Sequence, residues 1–219
     1  MGEAVDRFKI ACQYCAVDDS DQAAPSRPRL ILVSGSPGSG KTTLADHLTA
    51  ELRLPLISKD SIKVTLADTF GAEDLGQSQR LGAAAAALLY QTGLAIMKGG
   101  SGVIIESAFI RDFAGELGPL LAVGSARLIR CSVPTEIAVE RYRSRKRHWV
   151  HFDRHRAQDI ADRIAAGEYE LRLAVPTIDV DTSNGYRPEL PKILDFAWGG
   201  APRARSRPPG GRDAISPRP

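Results

Sequence analysis

The 219-residue sequence is short of several things, and each shortage excludes something. It holds three cysteines, Cys12, Cys15 and Cys131, too few for the disulfide framework of a small secreted domain and in keeping with a reducing compartment. Cys12 and Cys15 form a C-x-x-C, but no second pair and no suitably spaced histidine goes with it. A structural zinc ion wants four ligands, so incidental thiols in a loose segment are the expectation. The first residues carry Glu3, Asp6, Arg7 and Lys9 without an apolar core, unlike a signal peptide. No apolar run is expected to span a bilayer, and a cytoplasmic protein follows. There is no N-K-x-D for reading guanine and no internal repeat.

The core also lacks an excess of either charge. The net charge is +3, but residues 203–219 carry five arginines against Asp213, and residues 30–202 are neutral. A neutral core argues against a groove for a nucleic-acid backbone, which needs a basic surface. The basic tail can touch acidic surfaces only without specificity. Residues 1–28, with Asp18-Asp19-Ser20-Asp21, Pro25 and Pro28, are expected to be a flexible lead-in, with a short helix at most in 1–16. Residues 199–219 are rich in Pro, Arg and Gly and are expected to be disordered. One domain over residues 29–198 remains.

What is present is organised around Gly35-Ser36-Pro37-Gly38-Ser39-Gly40-Lys41-Thr42, which fits the phosphate-binding G-x-x-x-x-G-K-[ST] loop. Its flanks are right. Arg29–Ser34 is an apolar, partly β-branched run suited to a buried parallel strand, and Thr43–Leu52 places Leu44, Ala45, Leu48 and Leu52 near helical spacing. Glycines let successive N–H groups turn toward phosphate, and the helix N-terminus adds partial positive charge. Gly35 to Thr43 are the candidate nucleotide-binding residues. Lys41 is expected to reach the β- and γ-phosphates, and the Thr42 hydroxyl to bind Mg²⁺.

Further strands are expected at Leu54–Ser58, Gly102–Ser107, Ala126–Val133 and Pro176–Asp181. Helices are expected from about Lys59, over Asp74–Lys98, from Thr135 to about Arg143, over Gln158–Ala174 with an interruption at Gly167, and over about Pro188–Phe196. The alternation predicts an α/β fold, a five-stranded parallel sheet with helices on both faces. Asp60 falls just past a strand end, the edge where such sheets bind ligands, and either caps a helix or takes a proton from a substrate hydroxyl. Lys63 shares a helical face with it. Glu106 ends an apolar strand, the position from which P-loop proteins hold Mg²⁺, usually with Asp. Lys63, Arg80, Glu106, Phe109 and Arg111 are the candidate acceptor-side residues. Residues 141–156 hold seven Arg/Lys against Asp153, placed where a lid would close over phosphates.

Four pieces carry a family resemblance: GSPGSGKTTLA at 35–45, LPLISKDSIK at 54–63, VIIESAF at 103–109, and RCSVPTEIAVERYRSRKRH at 130–148 with VDT at 180–182. Over residues 29–185 the chain resembles small P-loop kinases of the AAA_33/zeta-toxin type, which include chloramphenicol phosphotransferase and the 5′-polynucleotide kinase domain. The resemblance implies a three-layer P-loop NTPase sandwich with a basic helical lid. It implies ATP- and Mg²⁺-dependent phosphorylation of a hydroxyl, with Asp60 as general base and the lid arginines, Arg141 and Arg145 first, on the phosphates. Many relatives have R-H-P-G-H-x-D in the lid where this chain has Arg147-His148-Trp149-Val150-His151-Phe152-Asp153. The expected function is transfer of the γ-phosphate to a small molecule, such as an antibiotic or nucleoside-like natural product. Alternatives are a polynucleotide 5′-hydroxyl kinase, a nucleotide-sugar toxin kinase, or, in another class, a nucleotide switch or ATPase.

Overall fold

The computed structural model describes residues 27–110, 115–145, 148–151 and 157–200. Expectations for the N-terminal segment, the C-terminal tail, Arg111, Lys146, Arg147 and residues 152–156 lie outside the described residues. In chain order the elements are β1 (Arg29–Gly35), α1 (Lys41–Leu52), β2 (Leu56–Ser58), α2 (Lys59–Phe70), α3 (Leu75–Lys98), β3 (Val103–Glu106), α4 (Gly118–Val123), β4 (Ser125–Ser132), α5 (Thr135–Ser144), α6 (Ala157–Ala165), β5 (Thr177–Asp181) and α7 (Leu190–Trp198). The sheet runs β2-β3-β1-β4-β5, and every neighbouring pair is parallel.

The β1 side chains alternate between the two faces, as strand geometry requires. Ile31 and Val33 join Leu44, Leu48 and Ile193 under α1 and α7, while Leu30 and Leu32 join Leu89, Met97 and Leu120 under α3 and α4. A continuous apolar run therefore reads as a strand covered on both sides, the middle layer of a three-layer sandwich. The register sets Val33 beside Glu106 on one side and Ile129 on the other, which brings the ends of β1 and β3 together.

Helix α3 starts where the Asp74 carboxylate accepts from the Gln77 N–H at 2.7 Å, an N-cap bond. Its glycines do not break it. A Cβ on Gly93 would lie 2.7 Å from Ile105 Cδ1 and 3.0 Å from Leu120 Cδ2, so this glycine sets how closely α3 lies on the sheet. The same helix corrects the expectation about apolar runs. Among the described residues it is the one helix long and apolar enough to cross a bilayer by length and composition, its mean hydropathy reaching 1.2. The helix packs on β3, α2 and α4.

One other expectation is corrected, and one helix was not expected. The helix after the lid ends at Ala165 and does not resume. Gly167, at φ 67°, accompanies the closing bonds Gly167 N–H to Ile164 O and Glu168 N–H to Arg163 O, a left-handed C-terminal stop. Helix α4 was not foreseen. Its sequence GPLLAV is too short to show a period.

Candidate active site

The P-loop joins the end of β1 to the start of α1. Gly40 caps α1 in the left-handed region, at φ 73°, without a side-chain cap bond. The first N–H groups of α1 therefore have neither an intrahelical acceptor nor a capping side chain. Gly38, at φ 82°, packs so closely that a Cβ would run into the Ala138 carbonyl of α5. The Thr182 hydroxyl, just past β5, donates to Ser39 O at 2.7 Å. Ser39 Oγ is itself buried without a hydrogen-bond partner among the described residues. An uncapped helix start facing a glycine cradle fits a bound phosphate group.

Beside the loop, one carboxylate gathers several groups. Glu106 is 3% exposed, so its charge needs partners. Its Oε1 accepts from Thr42 Oγ1 at 3.4 Å and lies 3.8 Å from Lys41 Nζ, and its Oε2 accepts from Ser58 Oγ at 2.6 Å. The Lys41 ammonium also donates to Ser36 O at 3.3 Å. The structure thus brings Lys41, Thr42 and Glu106 together as the motif reading expected and adds Ser58, which that reading missed. The signal for Ser58 was its place at the end of β2, paired in register with Glu106. No cluster of three or more His, Cys, Asp or Glu that could hold a metal occurs among the described residues. One carboxylate and one hydroxyl beside a phosphate cradle still fit Mg²⁺, which takes few protein ligands and completes its shell from phosphates and water.

Asp60 lies in the first turn of α2, while Ser58 is the N-cap, so the capping role considered for Asp60 does not apply. The carboxylate is exposed and sits two residues past the Ser58 that bonds Glu106. Arg141 and Arg145 line a cavity of about 410 Å³ with Gly38, Gly40, Thr42 and Thr43. The Arg141 Nη2 donates to the carbonyls of Thr182 and Ser183, both at 2.9 Å. Two of the donors on this guanidinium position the loop after β5, and the fork retains others for a ligand. In the turn Trp149–His151, Val150 is buried against Ala67 and Ala72, whereas Trp149 is 51% exposed and leans on His148. His148 Nε2 lies 2.9 Å from Asp68 Oδ1, tying this turn to α2.

A larger cavity, about 910 Å³, opens between α2, α3 and the stretch after β3. Its wall begins one residue past each strand end, at Lys59 after Ser58 and at Ser107 after Glu106. The α3 residues on it are Gln79, Gly82, Ala83, Ala86, Ala87, Tyr90, Gln91 and Leu94, the spacing of one helix face. Phe109 and Lys63 line it, as expected of acceptor-side residues. Lys63 Nζ donates to Ser78 Oγ at 2.8 Å, and Ser78 Oγ donates to Val150 O at 2.5 Å, so the lid turn rests on this lysine. Arg80 is exposed and does not line this cavity, and Asp60 is flanked by Lys59 and Lys63 without lining the wall. Burial lowers the Lys59 pKa, partly countered by Asp60 and Glu116, and raises that of Tyr90 to about 12. Neither residue had been singled out from the sequence. An alanine-rich helix gives no sign of which face stays unfilled.

Comparison with known proteins bears on the same residues. The AAA domain family AAA_33 matches residues 30–166. A kinase-like protein from Chloroflexus aurantiacus J-10-fl is 31% identical, with a TM-score of 0.67 over 79% of this chain and 98% of that one. Shikimate kinase from Acinetobacter baumannii, solved with shikimate, shares the fold at a TM-score of 0.50 and 19% identity, over 80% of this chain and 96% of its own. No curated protein matches the sequence.

Proposed function

This chain belongs to the AAA_33 family and is a P-loop kinase, and from that premise we propose that it transfers the γ-phosphate of ATP to a hydroxyl of a small molecule. One observation carries the reading: the 910 Å³ cavity opens one residue beyond the Ser58–Glu106 bond, so an acceptor in it adjoins the phosphate cradle. A wall rich in alanine and glycine suits a compact natural product, such as an antibiotic or a nucleoside-like compound, better than an oligonucleotide backbone.

ATP supplies the phosphoryl group, and Mg²⁺ would offset its charge from the side of Thr42 and Glu106. The α1 N-terminus and Lys41 hold the phosphates. Asp60 accepts the proton of the acceptor hydroxyl as its oxygen bonds to phosphorus, and ADP leaves. Arg145, beside Arg141 on the 410 Å³ cavity, offers further donors to the charge spread over the transferring group.

The test is incubation of the full chain with γ-labelled ATP, Mg²⁺ and a panel of hydroxyl compounds that includes 5′-hydroxyl oligonucleotides. Label is expected on a small molecule. The Asp60→Asn variant is expected to lose transfer by roughly 10²–10⁴-fold while still binding ATP. Label confined to oligonucleotides would replace the small-molecule reading with a polynucleotide kinase. Undiminished transfer by the variant would remove Asp60 as the base.

A further inference from the structure

The charges on the large cavity point to a narrower class of acceptor. Lys59, Lys63, Arg163 and one carboxylate, Glu116, face it. Two of the three cations are already engaged: Lys63 with Ser78 at 2.8 Å, and Arg163 with Glu168, Nε to Oε2, at 2.6 Å. Lys59 is half-buried and makes no hydrogen bond or close ion pair among the described residues, and Asp60 and Glu116 only partly offset the burial of its charge. Burying an ammonium without a partner is costly, and a bound anion would offset that cost. Tyr90, also half-buried on this wall, has no hydrogen-bond partner among the described residues either. The phenol is protonated at neutral pH and can donate to a ligand or solvent in the cavity. Between them runs the smooth face of Gly82, Ala83, Ala86 and Ala87, ending at Leu94. A volume of about 910 Å³ is at the upper end of what drug-sized ligands fill.

We infer that the acceptor is a hydroxylated, amphipathic carboxylic acid whose carboxylate pairs with Lys59 and whose apolar body lies along the alanine face of α3. The inference rests on the reading of this cavity as the acceptor site. Lys59, whose burial Asp60 and Glu116 only partly offset, can pair with a singly charged carboxylate. A doubly charged phosphate ester would bring more negative charge toward Asp60 and Glu116. The hydroxyl to be phosphorylated sits at the Lys59 end, next to Asp60, and the carboxylate is therefore close to it in the molecule.

The experiment uses the full chain, ATP and Mg²⁺ with hydroxylated aryl-alkanoic and medium-chain fatty acids, each paired with its primary amide and, where one exists, its phosphate-ester counterpart. Transfer and thermal stabilisation are read for the wild type and for Lys59→Met. The acids are expected to exceed their amides in kcat/KM by about 10- to 100-fold, the worth of a charge-assisted contact, and Lys59→Met is expected to abolish that preference. Amides serving as well as acids, phosphate esters serving best, or a preference that survives Lys59→Met would each overturn the inference and leave the phosphotransferase reading intact. So would a panel in which no acid is phosphorylated or raises the Tm. The phosphotransferase reading fails by a separate route: wild-type ATP affinity in Lys41→Ala.

Discussion

The phosphate cradle and the large cavity lie one residue apart at the same sheet edge, yet they are built on opposite terms. In the cradle the protein meets its own side-chain charges: Glu106 takes bonds from Thr42 and Ser58 and faces Lys41, Thr182 fastens the loop through Ser39 O, and the uncapped α1 N–H groups are left for phosphate. In the cavity, Lys59 and Tyr90 face open volume without a hydrogen-bond partner among the described residues, over a wall of alanine and glycine. The difference matches what each side has to do. A triphosphate is the same in every turnover, so its charge can be met by groups fixed in advance at no reorganisation cost. The acceptor is what distinguishes one such kinase from another, and its partners are left to the ligand.

The comparison breaks first, and most visibly, at Lys41. Lys41→Ala removes the one ammonium in the cradle and leaves Glu106 facing Thr42 and Ser58 alone. Transfer to any acceptor is expected to fall by at least ~10²–10³-fold, and calorimetry should show weaker ATP binding. Wild-type turnover in this variant would mean that the cradle is not the donor site.

A second prediction concerns what holds the cavity open. Gly93 lets α3 lie close on β3, with Ile105 Cδ1 and Leu120 Cδ2 filling the space where a side chain would go. Gly93→Val is expected to destabilise the fold by about 1–3 kcal/mol through overpacking, read as a lower urea midpoint at constant m. Equal stability would mean that the helix can shift outward freely, and then the cavity's width is not set by this contact.

How much of this was legible in the sequence differs between the two sides. The cradle was legible because its chemistry is written in backbone requirements: Gly38 and Gly40 sit at positive φ, and Lys41 and Thr42 must follow at once. Glu106 was legible because a carboxylate at the end of an apolar strand has little reason to be buried unless it binds something. The parallel sheet followed from the apolar runs. The order β2-β3-β1-β4-β5 did not, since nothing local encodes which strand lies beside which. The cavity was illegible for a related reason. Ala85, fully buried, and Ala86, on the cavity wall, are the same residue in adjacent positions, and only the packing of α2 and α4 around the helix assigns them different roles. Arg80 is one position from Gln79, and only Gln79 lines the cavity.

Ala86 offers the third test. Ala86→Leu projects a larger apolar group from the wall into the cavity with little expected effect on the core. Acceptor KM is expected to rise by about tenfold, equivalent to ~1.4 kcal/mol, with ATP affinity unchanged and stability within ~0.5 kcal/mol of wild type. An unchanged KM would place the acceptor elsewhere and dissolve the contrast between the two sides.

The smallest expected effect sharpens the contrast from the donor side. Thr182 lies past β5, far in sequence from the P-loop, and its hydroxyl reaches Ser39 O at 2.7 Å while its carbonyl accepts from Arg141 at 2.9 Å. Thr182→Val keeps the shape and the carbonyl but removes the donor. It should cost about 0.5–1.5 kcal/mol of stability, the net worth of one hydrogen bond. If the cradle depends on being fixed in advance, part of that loss must reappear as weaker ATP binding, while acceptor KM stays put. Loss of stability with no change in ATP affinity would mean that the loop keeps its conformation without this strut, and that the glycines and the α1 N-terminus suffice to shape it.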